Sequence, residues 1–272
     1  VSVKAMGLVN LLSSSNPDLG LWLDAQDINN DGGSSQPTHK SSVSTWKDKG
    51  YYKEDANQVF TTKAGKYYKD TDNNREYIRF DGDNDNYGVN YSMGIEPSDN
   101  YTVFVVFSPH PTSKQALHAV LDKGDSFRFS VEDFGSKWKI STNTDTPVEV
   151  GEVAINANEF QIGTFIYERS SSIMKINGSR IIDNYSGIRF ANSTYKMVIG
   201  ANKNLTGDYY DGDIGEIIIY RRRLSEDKVE MIENYLSSKW GIVGESLEPV
   251  VDEIAIIIDR NELVTVTDNI IW

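Results

Sequence analysis

Short apolar runs rich in β-branched and aromatic residues alternate with turns of Asn, Asp, Gly and Ser along most of this chain. This pattern is typical of antiparallel β-structure, because turn residues interrupt each run at strand length. Residues 101–108, YTVFVVFS, are apolar at both odd and even positions, which predicts a central strand covered on both faces. Further strands are predicted at residues 77–80, 127–131, 138–141, 160–167, 197–199 and 214–220.

A hairpin is predicted around the dipeptide Asn177-Gly178. The β-rich runs 173–176 and 179–182 flank it directly. Asn and Gly both tolerate positive φ, so a two-residue type I′ turn is expected between the two strands.

One amphipathic helix is predicted after the last strand. Ser225 is a candidate N-cap, and Glu226 and Asp227 place negative charge in the first turn, where the helix dipole favours it. Gly241 can adopt the left-handed conformation that ends a helix. One apolar face with helical spacing is expected to pack on the sheets. That face comprises Val229, Ile232, Leu236 and Trp240.

Composition restricts the partners. The 272 residues include 40 acidic and 27 basic side chains, a formal net charge of −13 that argues against a nucleic-acid partner. The basic cluster Arg221, Arg222 and Arg223 is interpreted as solvated. No apolar run reaches the roughly 18–20 residues of a membrane-spanning helix, so no membrane insertion is expected. The absence of cysteine excludes disulfides, thiol nucleophiles and zinc–thiolate sites.

Three segments are expected along the chain. Residues 1–18 form a lead-in, residues 19–242 one β-sandwich, and residues 243–272 a linker followed by a β-hairpin or the start of another domain or assembly contact. The chain begins at Val1 without a signal peptide, which predicts a processed form, a fragment or an internal segment.

Several motifs carry a resemblance to a known family. A Gly-Asp-Ile-Gly strand at residues 212–215 leads to Leu-Ser-Glu-Asp at 224–227, and Phe80-Asp-Gly precedes Asp85 and Tyr87. Other matching stretches are LWLDA at 21–25, WKD at 46–48 and IENYLSSKWG at 232–241. Together they resemble the laminin-G-like and pentraxin-like branch of the concanavalin A-like lectin/glucanase superfamily, in its bacterial or phage form. The resemblance implies an all-β, two-sheet antiparallel jelly-roll sandwich with one short C-terminal helix packed on it.

The resemblance also bears on catalysis. Glucanases of this superfamily carry Glu-x-Asp-x-Glu or Glu-x-Asp-x-x-Glu on one strand, so that alternation directs the carboxylates into the cleft. In this chain no Glu is followed two positions later by Asp. His110, in a Ser-Pro-His-Pro segment, is interpreted as a turn residue rather than a general base. No catalytic residue and no enzyme activity are therefore predicted.

Two loops are candidate calcium sites. Asp27, Asn29 and Asp31 occupy positions 1, 3 and 5 of a loop with Gly32 at position 6, a spacing that wraps oxygens around a hard cation. Thr38 takes position 12 in place of a bidentate Glu, so a full EF-hand is excluded, and a hydrogen-bonded Asx-rich turn is the alternative.

The second loop contains Asp81, Asp83, Asn84 and Asp85. Its alternative is that Asp85 binds backbone amides rather than a metal. Pentraxin-like proteins bind paired calcium ions through an acidic cluster ahead of the Gly-Asp-Ile-Gly strand. Here that place is Ala201-Asn-Lys-Asn204, so that site is not transferred. The nearby Asp208, Asp211 and Asp213 could build a different site, although Asp213 is interpreted as structural.

Glycan binding would use exposed aromatic rings together with Asn and Asp oxygens. The adjacent pairs Tyr51-Tyr52, Tyr67-Tyr68 and Tyr209-Tyr210 lie in polar contexts, and one member of each pair must point outward if the segment is extended. The predicted ligand residues are Tyr51, Tyr52, Tyr209, Tyr210, Asn202, Asp208 and Asp211. Ordinary surface is the alternative. Trp22, Trp46 and Trp240 are expected in the core.

Two functions remain open. The first is a non-catalytic glycan-binding or adhesion module, extracellular, on a cell surface or on a virion, with calcium ordering its loops. The second is a structural or decoration protein of a larger assembly such as a phage particle, an oligomer whose residues 243–272 dock to neighbouring subunits. A sandwich hydrolase or lyase ranks third.

Overall fold

Two packed β-sheets and two helices form the described part of the molecule. The computed structural model describes residues 3–90, 100–110, 117–124, 127–132, 136–142, 148–168, 171–185 and 196–244. Within these ranges each sheet has eight strands, and all strand pairs are antiparallel. The predicted strands after residue 244 lie outside the described residues.

The first sheet contains the long buried strands. Its spatial order is β14 (Ser179–Tyr185), β13 (Ser172–Ile176), β12 (Gln161–Tyr167), β7 (Tyr101–Pro109), β16 (Asp211–Tyr220), β5 (Arg75–Asp81) and β4 (Lys66–Asp70). The eighth strand, β1 (Leu19–Asp24), pairs with β16.

The second sheet contains shorter strands. Its order is β11 (Val148–Ala154), β10 (Lys137–Thr142), β9 (Arg128–Glu132), β8 (Leu117–Asp122), β15 (Met197–Ile199), β6 (Tyr87–Val89), β3 (Ala56–Asn57) and β2 (Thr45–Trp46). Between the sheets lies one large hydrophobic core, in which Trp46 and Trp138 are completely buried.

The helices cover the outer face of the first sheet. Helix α1 (Val3–Leu11) and helix α2 (Glu226–Trp240) pack with the outward-facing side chains of β7, β12 and β16 in a second hydrophobic cluster. Strand β7 is therefore buried along its whole length, as its apolar pattern predicts. No described helix lies on the outer face of the second sheet.

Strand β16 is the centre of the first sheet. It pairs with β7 along one side, and on the other side its first half pairs with β5 and its second half with β1. The register shifts between Ile214 and Glu216, and the Trp240 ring packs over Gly215 at this point. A Cβ atom at Gly215 would lie 2.3 Å from the Trp240 ring, which explains a glycine there in physical terms.

The local predictions are confirmed in most details. Asn177 and Gly178 have φ of 47° and 79°, as a type I′ hairpin requires. Helix α2 ends at Gly241 in the left-handed conformation, and its predicted apolar face is buried. Ser225 occupies the N-cap position, but its side chain makes no capping hydrogen bond. Helix α1 was not predicted, and it lies within the expected lead-in segment.

Candidate functional site

The first predicted calcium loop is closed by its own hydrogen bonds. Asp27 is buried, and its Oδ1 accepts the backbone N–H groups of Asp31 and Gly33. The Lys49 ammonium lies 3.0 Å from Asp27 Oδ2 and so occupies the place that a metal would take beside this carboxylate. Asn29 Nδ2 donates to the Ser35 carbonyl. The geometry therefore favours the Asx-rich turn, and calcium here stays a prediction.

The second loop follows the same pattern. Asp81 Oδ1 accepts the backbone N–H groups of Asp83 and Asn84, and Asp85 Oδ2 accepts that of Asp81. Burial of Asp85, with a smaller contribution from Asp81, raises its pKa to about 6. Asp85 thus binds a backbone amide, as the alternative for this residue expected. Among the described residues no group of three His, Asp or Glu side chains converges as a metal site would require.

The three aspartates of residues 208–213 do not form a joint site. Asp208 Oδ2 lies 3.2 Å from Arg128 Nη1, and Asp213 receives Arg79 Nε at 2.7 Å. Asp211 Oδ1 lies 3.5 Å from His110 Nδ1. Each carboxylate therefore lies beside a cationic side chain, an arrangement that suits ion pairs rather than one shared metal.

His110 joins two of these carboxylates. Its Nε2 lies 3.1 Å from Asp213 Oδ2, on the opposite side of the ring from Asp211. Burial alone would lower the pKa of His110, but the hydrogen bonds to Asp211 and Asp213 outweigh it and raise the pKa to about 9. His110 is thus a partly buried cation that joins β7 to β16.

The tyrosine pairs are distributed over distant surfaces. Tyr51 is exposed, and Tyr52 lies under the Arg221 guanidinium at 4.8 Å from the ring. This pair lies beside Leu19, near the end of β16, whereas Tyr209 precedes the start of that strand. Ten strand residues separate the two places by about 30 Å. The predicted ligand residues therefore cannot form one subsite.

Tyr210 was predicted as a ligand-binding residue, and its position in the structure contradicts this prediction. Its ring is completely buried and contacts Phe80 at 5.9 Å between centroids, so it offers no face to a ligand. Tyr209 is half-buried and points the other way, with its hydroxyl donating to the Leu205 carbonyl. Tyr67 is likewise buried while Tyr68 is half-exposed, so one ring of each of these two pairs does reach the surface.

Residues 200–210 form the loop that connects β15 of the second sheet to β16 of the first sheet. Asn202 Oδ1 accepts the backbone N–H groups of Asn204 and Thr206, so this side chain shapes the loop. His118 Nδ1 donates to the Tyr209 carbonyl at 2.6 Å. The loop is therefore fixed in place, with Tyr209 and the exposed Leu205 at its surface.

An arginine that the sequence did not single out connects this loop to the outer face of the second sheet. Arg128 Nη2 donates to Asp122 Oδ2 at 2.6 Å and Nη1 to Asp208 Oδ2 at 3.2 Å. Asp122 is fully buried, and it also accepts the backbone N–H of Lys203. Burial raises the pKa of Asp122. We call Asp122, Arg128 and Asp208 the Arg128 cluster. The Arg128 cluster could not be recognised from the sequence, because its three residues come from β8, β9 and the 200–210 loop and meet only in the folded structure.

Other outward side chains surround the Arg128 cluster. Residues of β9 and β10 that alternate with core positions point to the same face, among them Ser130, Glu132 and Lys139. Lys139 Nζ lies 3.3 Å from Glu132 Oε2. This face thus carries hydrogen-bond donors and acceptors beside the half-exposed ring of Tyr209.

The matching motifs at residues 21–25 and 232–241, together with Lys49 and Glu216, build a buried ionic cluster under helix α2. Asp24 Oδ2 lies 2.7 Å from Lys239 Nζ and 3.1 Å from Lys49 Nζ, and Glu216 Oε2 lies 3.2 Å from Lys239 Nζ. Burial alone would raise the pKa of Asp24, but Lys239 and Lys49 hold it at about 2. Burial raises the pKa of Glu216.

The indole N–H groups of Trp22 and Trp240 donate to Glu216, at 2.7 and 2.9 Å. Every charged group of this cluster is thus buried and has partners. Its role is to attach helix α2 to the sheet, and it offers no open site.

The family model Laminin_G_3, described as concanavalin A-like lectin/glucanases superfamily, matches residues 95–230, which is half of the 272-residue chain. The chain belongs to this superfamily. The two antiparallel sheets agree with the match, and so does the Gly-Asp-Ile-Gly strand inside it. A comparison with curated protein sequences finds no significant match.

Solved structures share the fold of this concanavalin A-like domain at low identity. Trypanosoma rangeli sialidase in complex with the inhibitor DANA is 12% identical, with a TM-score of 0.54 over 78% of this chain. The chain spans only 32% of that sialidase. Domain 4 of AbnA, an extracellular arabinanase from Geobacillus stearothermophilus, in complex with arabinotriose, is 13% identical, with a TM-score of 0.53 over 78% of this chain and 96% of the domain.

The binding domain of Paraclostridial Mosquitocidal Protein 1 is also similar. It is 16% identical, with a TM-score of 0.56 over 74% of this chain and 52% of that one. At these identities the similarity concerns the fold. Among the described residues, no helix has both the length and the apolarity to cross a membrane.

Proposed function

We propose that this concanavalin A-like domain is a non-catalytic glycan-binding module. The observation that carries the proposal is the Arg128 cluster on the outer face of the second sheet, next to the loop that carries the half-exposed ring of Tyr209. The glycan would lie across this face, between the 200–210 loop and the outward side chains of β9 and β10.

The chemistry of the surface suits a sugar. Hydroxyl groups both donate and accept hydrogen bonds, and this face offers two fixed ion pairs, Arg128 with Asp208 and Lys139 with Glu132. Hydrogen bonds to charged groups are stronger than those between neutral groups. A tyrosine ring adds an apolar face on which a sugar ring can stack. Because ion pairs and loop bonds hold these groups in position, binding would require little ordering.

The comparisons support the same class of ligand. Domain 4 of the arabinanase is a separate sandwich of nearly the same extent, and its structure contains arabinotriose. The mosquitocidal protein contributes a binding domain of the same fold. An extracellular, cell-surface or virion-surface location would agree with this use.

The absence of catalysis is part of the proposal. Glycoside hydrolysis requires one carboxyl group as acid and a second as base or nucleophile, both directed at the scissile bond. In the Arg128 cluster, Asp122 and Asp208 share one guanidinium, and Asp122 is completely buried. Both carboxylates are thus engaged in holding Arg128.

A glycan array followed by titration calorimetry tests the proposal. Tyr209→Ala should weaken binding of the best array ligand by about tenfold, because the stacking face is lost. Tyr209→Phe keeps the ring and loses only the hydroxyl bond to Leu205, so it should bind within about twofold of wild type.

Tyr51→Ala, at the other end of β16, is the matched control and should bind normally. The proposal is wrong if the folded protein binds no glycan on the array, or if Tyr209→Ala binds as wild type does. If no glycan binds, the alternative function, a structural or decoration protein of a larger assembly, would be favoured. That alternative depends on residues 243–272, of which the structure describes only residues 243 and 244.

A further inference from the structure

A row of aromatic rings crosses the outer face of the first sheet, beyond the area that the helices cover. We call it the aromatic row, and its successive ring centroids lie 5.2, 5.8, 5.4 and 5.3 Å apart. The row consists of His39, Tyr68, Tyr77, Phe160 and Trp240. Trp240, the last residue of helix α2, is buried, Tyr68 and Phe160 are half-exposed, and His39 is exposed. The row therefore emerges from the core into solvent over strands β5 and β4.

Cations lie over these rings. The Arg79 guanidinium is 4.3 Å from the Tyr68 ring centre, and the Arg75 guanidinium is 5.4 Å from that of Phe160. Lys40 Nζ approaches Tyr68 from further away, at 6.0 Å. Lys66 is exposed and lies opposite Arg79 in the β4–β5 pair. Cations close to aromatic faces are held without losing their charge.

Most of these cations have no carboxylate partner. Arg79 pairs with Asp213, but within the described part of the chain Lys40, Lys66 and Arg75 take part in no ion pair. Arg75 donates only to the Gly241 carbonyl, at 3.3 Å. Asp70, opposite Arg75, accepts hydrogen bonds from Asn73 in the 70–73 turn and keeps its negative charge, so it offsets one of these three cations. In a chain with a net charge of −13, this is a local excess of positive charge.

From this arrangement we infer that the aromatic row is a second binding surface, and that its ligand is an acidic polysaccharide carrying carboxylates at intervals. Tyr68 and Phe160 provide apolar surface for sugar rings, while Arg75 and Lys40 pair with carboxylates on either side of the row. Few, separated cations suit a chain with spaced charges better than a nucleic acid, which carries a charge on every nucleotide. This surface is independent of the Arg128 cluster, which lies on the other sheet.

The test measures binding of an oligogalacturonate by calorimetry, with a neutral galacto-oligosaccharide and a single-stranded oligo-dT as comparison ligands. The wild-type domain should bind the uronate, and affinity should fall several-fold as NaCl rises from about 20 to 200 mM, because the charges are at the surface. Arg75→Gln and Lys40→Gln should each weaken binding by about threefold to tenfold. Tyr68→Leu should weaken it as well, since the ring is lost.

Arg221→Gln is the matched control, because its guanidinium also lies over a tyrosine ring but at the opposite end of β16. It should bind the uronate as wild type does. Lys40 is exposed, so Lys40→Gln should keep the wild-type thermal transition, and its lost affinity cannot come from unfolding. Tyr209→Ala should retain uronate binding, which separates this surface from the proposed glycan site.

Three results would overturn the inference. They are no uronate binding at low salt, equal binding by Arg75→Gln and wild type, and tighter binding of oligo-dT than of the uronate.

Discussion

The carboxylates that the sequence marks as candidate metal ligands bind backbone amides or nearby cationic side chains. Asp27 binds backbone amides and Lys49, Asp85 binds an amide, and Asp213 binds Arg79. The sequence shows oxygen-rich spacing, which is equally compatible with a metal and with amide donors. It cannot show the cation, because Lys49 lies 22 positions after Asp27, and Arg79 lies 134 positions before Asp213. The alternatives could therefore be written from the sequence, but the choice between them required coordinates.

His110 should make stability depend on pH. Its pKa of about 9 in the folded protein lies above its ordinary value of about 6.5, so the folded state binds this proton more tightly than the unfolded state. The stabilisation is complete below pH of about 6.5 and is lost as the pH rises through about 9. It amounts to about 1–2 kcal/mol, since the ring is partly solvated and screened.

Urea unfolding of wild type and His110→Gln between about pH 6 and 10 measures this effect, because that range includes both the ordinary pKa of about 6.5 and the folded-state pKa of about 9. The difference in unfolding free energy should shrink toward high pH. His39→Gln changes an exposed histidine and should keep the wild-type slope. A constant difference for His110→Gln would contradict the ion-pair assignment.

At the scale of elements, the buried face and the C-terminal end of helix α2 were predictable, whereas the contacts that attach the helix to the sheet were not. Spacing alone gave its buried face and its Gly241 end, because both are local properties. The ionic cluster beneath it joins Asp24, Glu216 and Lys239, which are up to 215 positions apart. No periodicity records such a contact. The strands β2 and β3 were not predicted for the opposite reason, since two residues are too few to show alternation.

Removal of Lys239 should loosen this helix. Lys239→Met leaves the buried carboxylates of Asp24 and Glu216 with one cation fewer, which should cost about 3–5 kcal/mol of unfolding free energy. Lys228→Met makes the same change on the same helix at a half-exposed position and should cost about 0.5 kcal/mol or less. Denaturant titration measures both. Equal losses in the two variants would show that the buried ion pairs contribute nothing.

At the scale of the whole molecule, the two-sheet architecture followed from strand patterns and from motifs shared with the superfamily. Helix α1 did not, because its nine residues, VKAMGLVNL, are mostly apolar and show no clear helical face. Helix α1 is stabilised by packing, since Leu8 and Leu11 belong to the hydrophobic cluster on the outer face of the first sheet. Packing of this kind depends on the finished surface and has no local signal.

Calcium can be tested at the same scale. Because Lys49 and backbone amides fill the first loop, we expect EDTA to change the melting temperature by less than about 1 °C. Differential scanning calorimetry with EDTA and with added calcium measures this directly. A fall of several degrees on chelation would show that a cation stabilises the fold and would return the Asp27 loop to the metal interpretation.

The position of β16 late in the sequence has a consequence for co-translational folding. Strands β1, β5 and β7 all pair with β16, and Leu19 meets Tyr220 only after about 200 intervening residues have been synthesised. Until then these earlier strands expose unpaired edges, and closing so long a loop slows folding. During synthesis the incomplete first sheet therefore exposes apolar surface and unpaired strand edges for a long time, and chaperone binding would protect it. A chain that ends before residue 211 would lack β16, and we expect such a fragment to aggregate rather than to fold as a smaller domain.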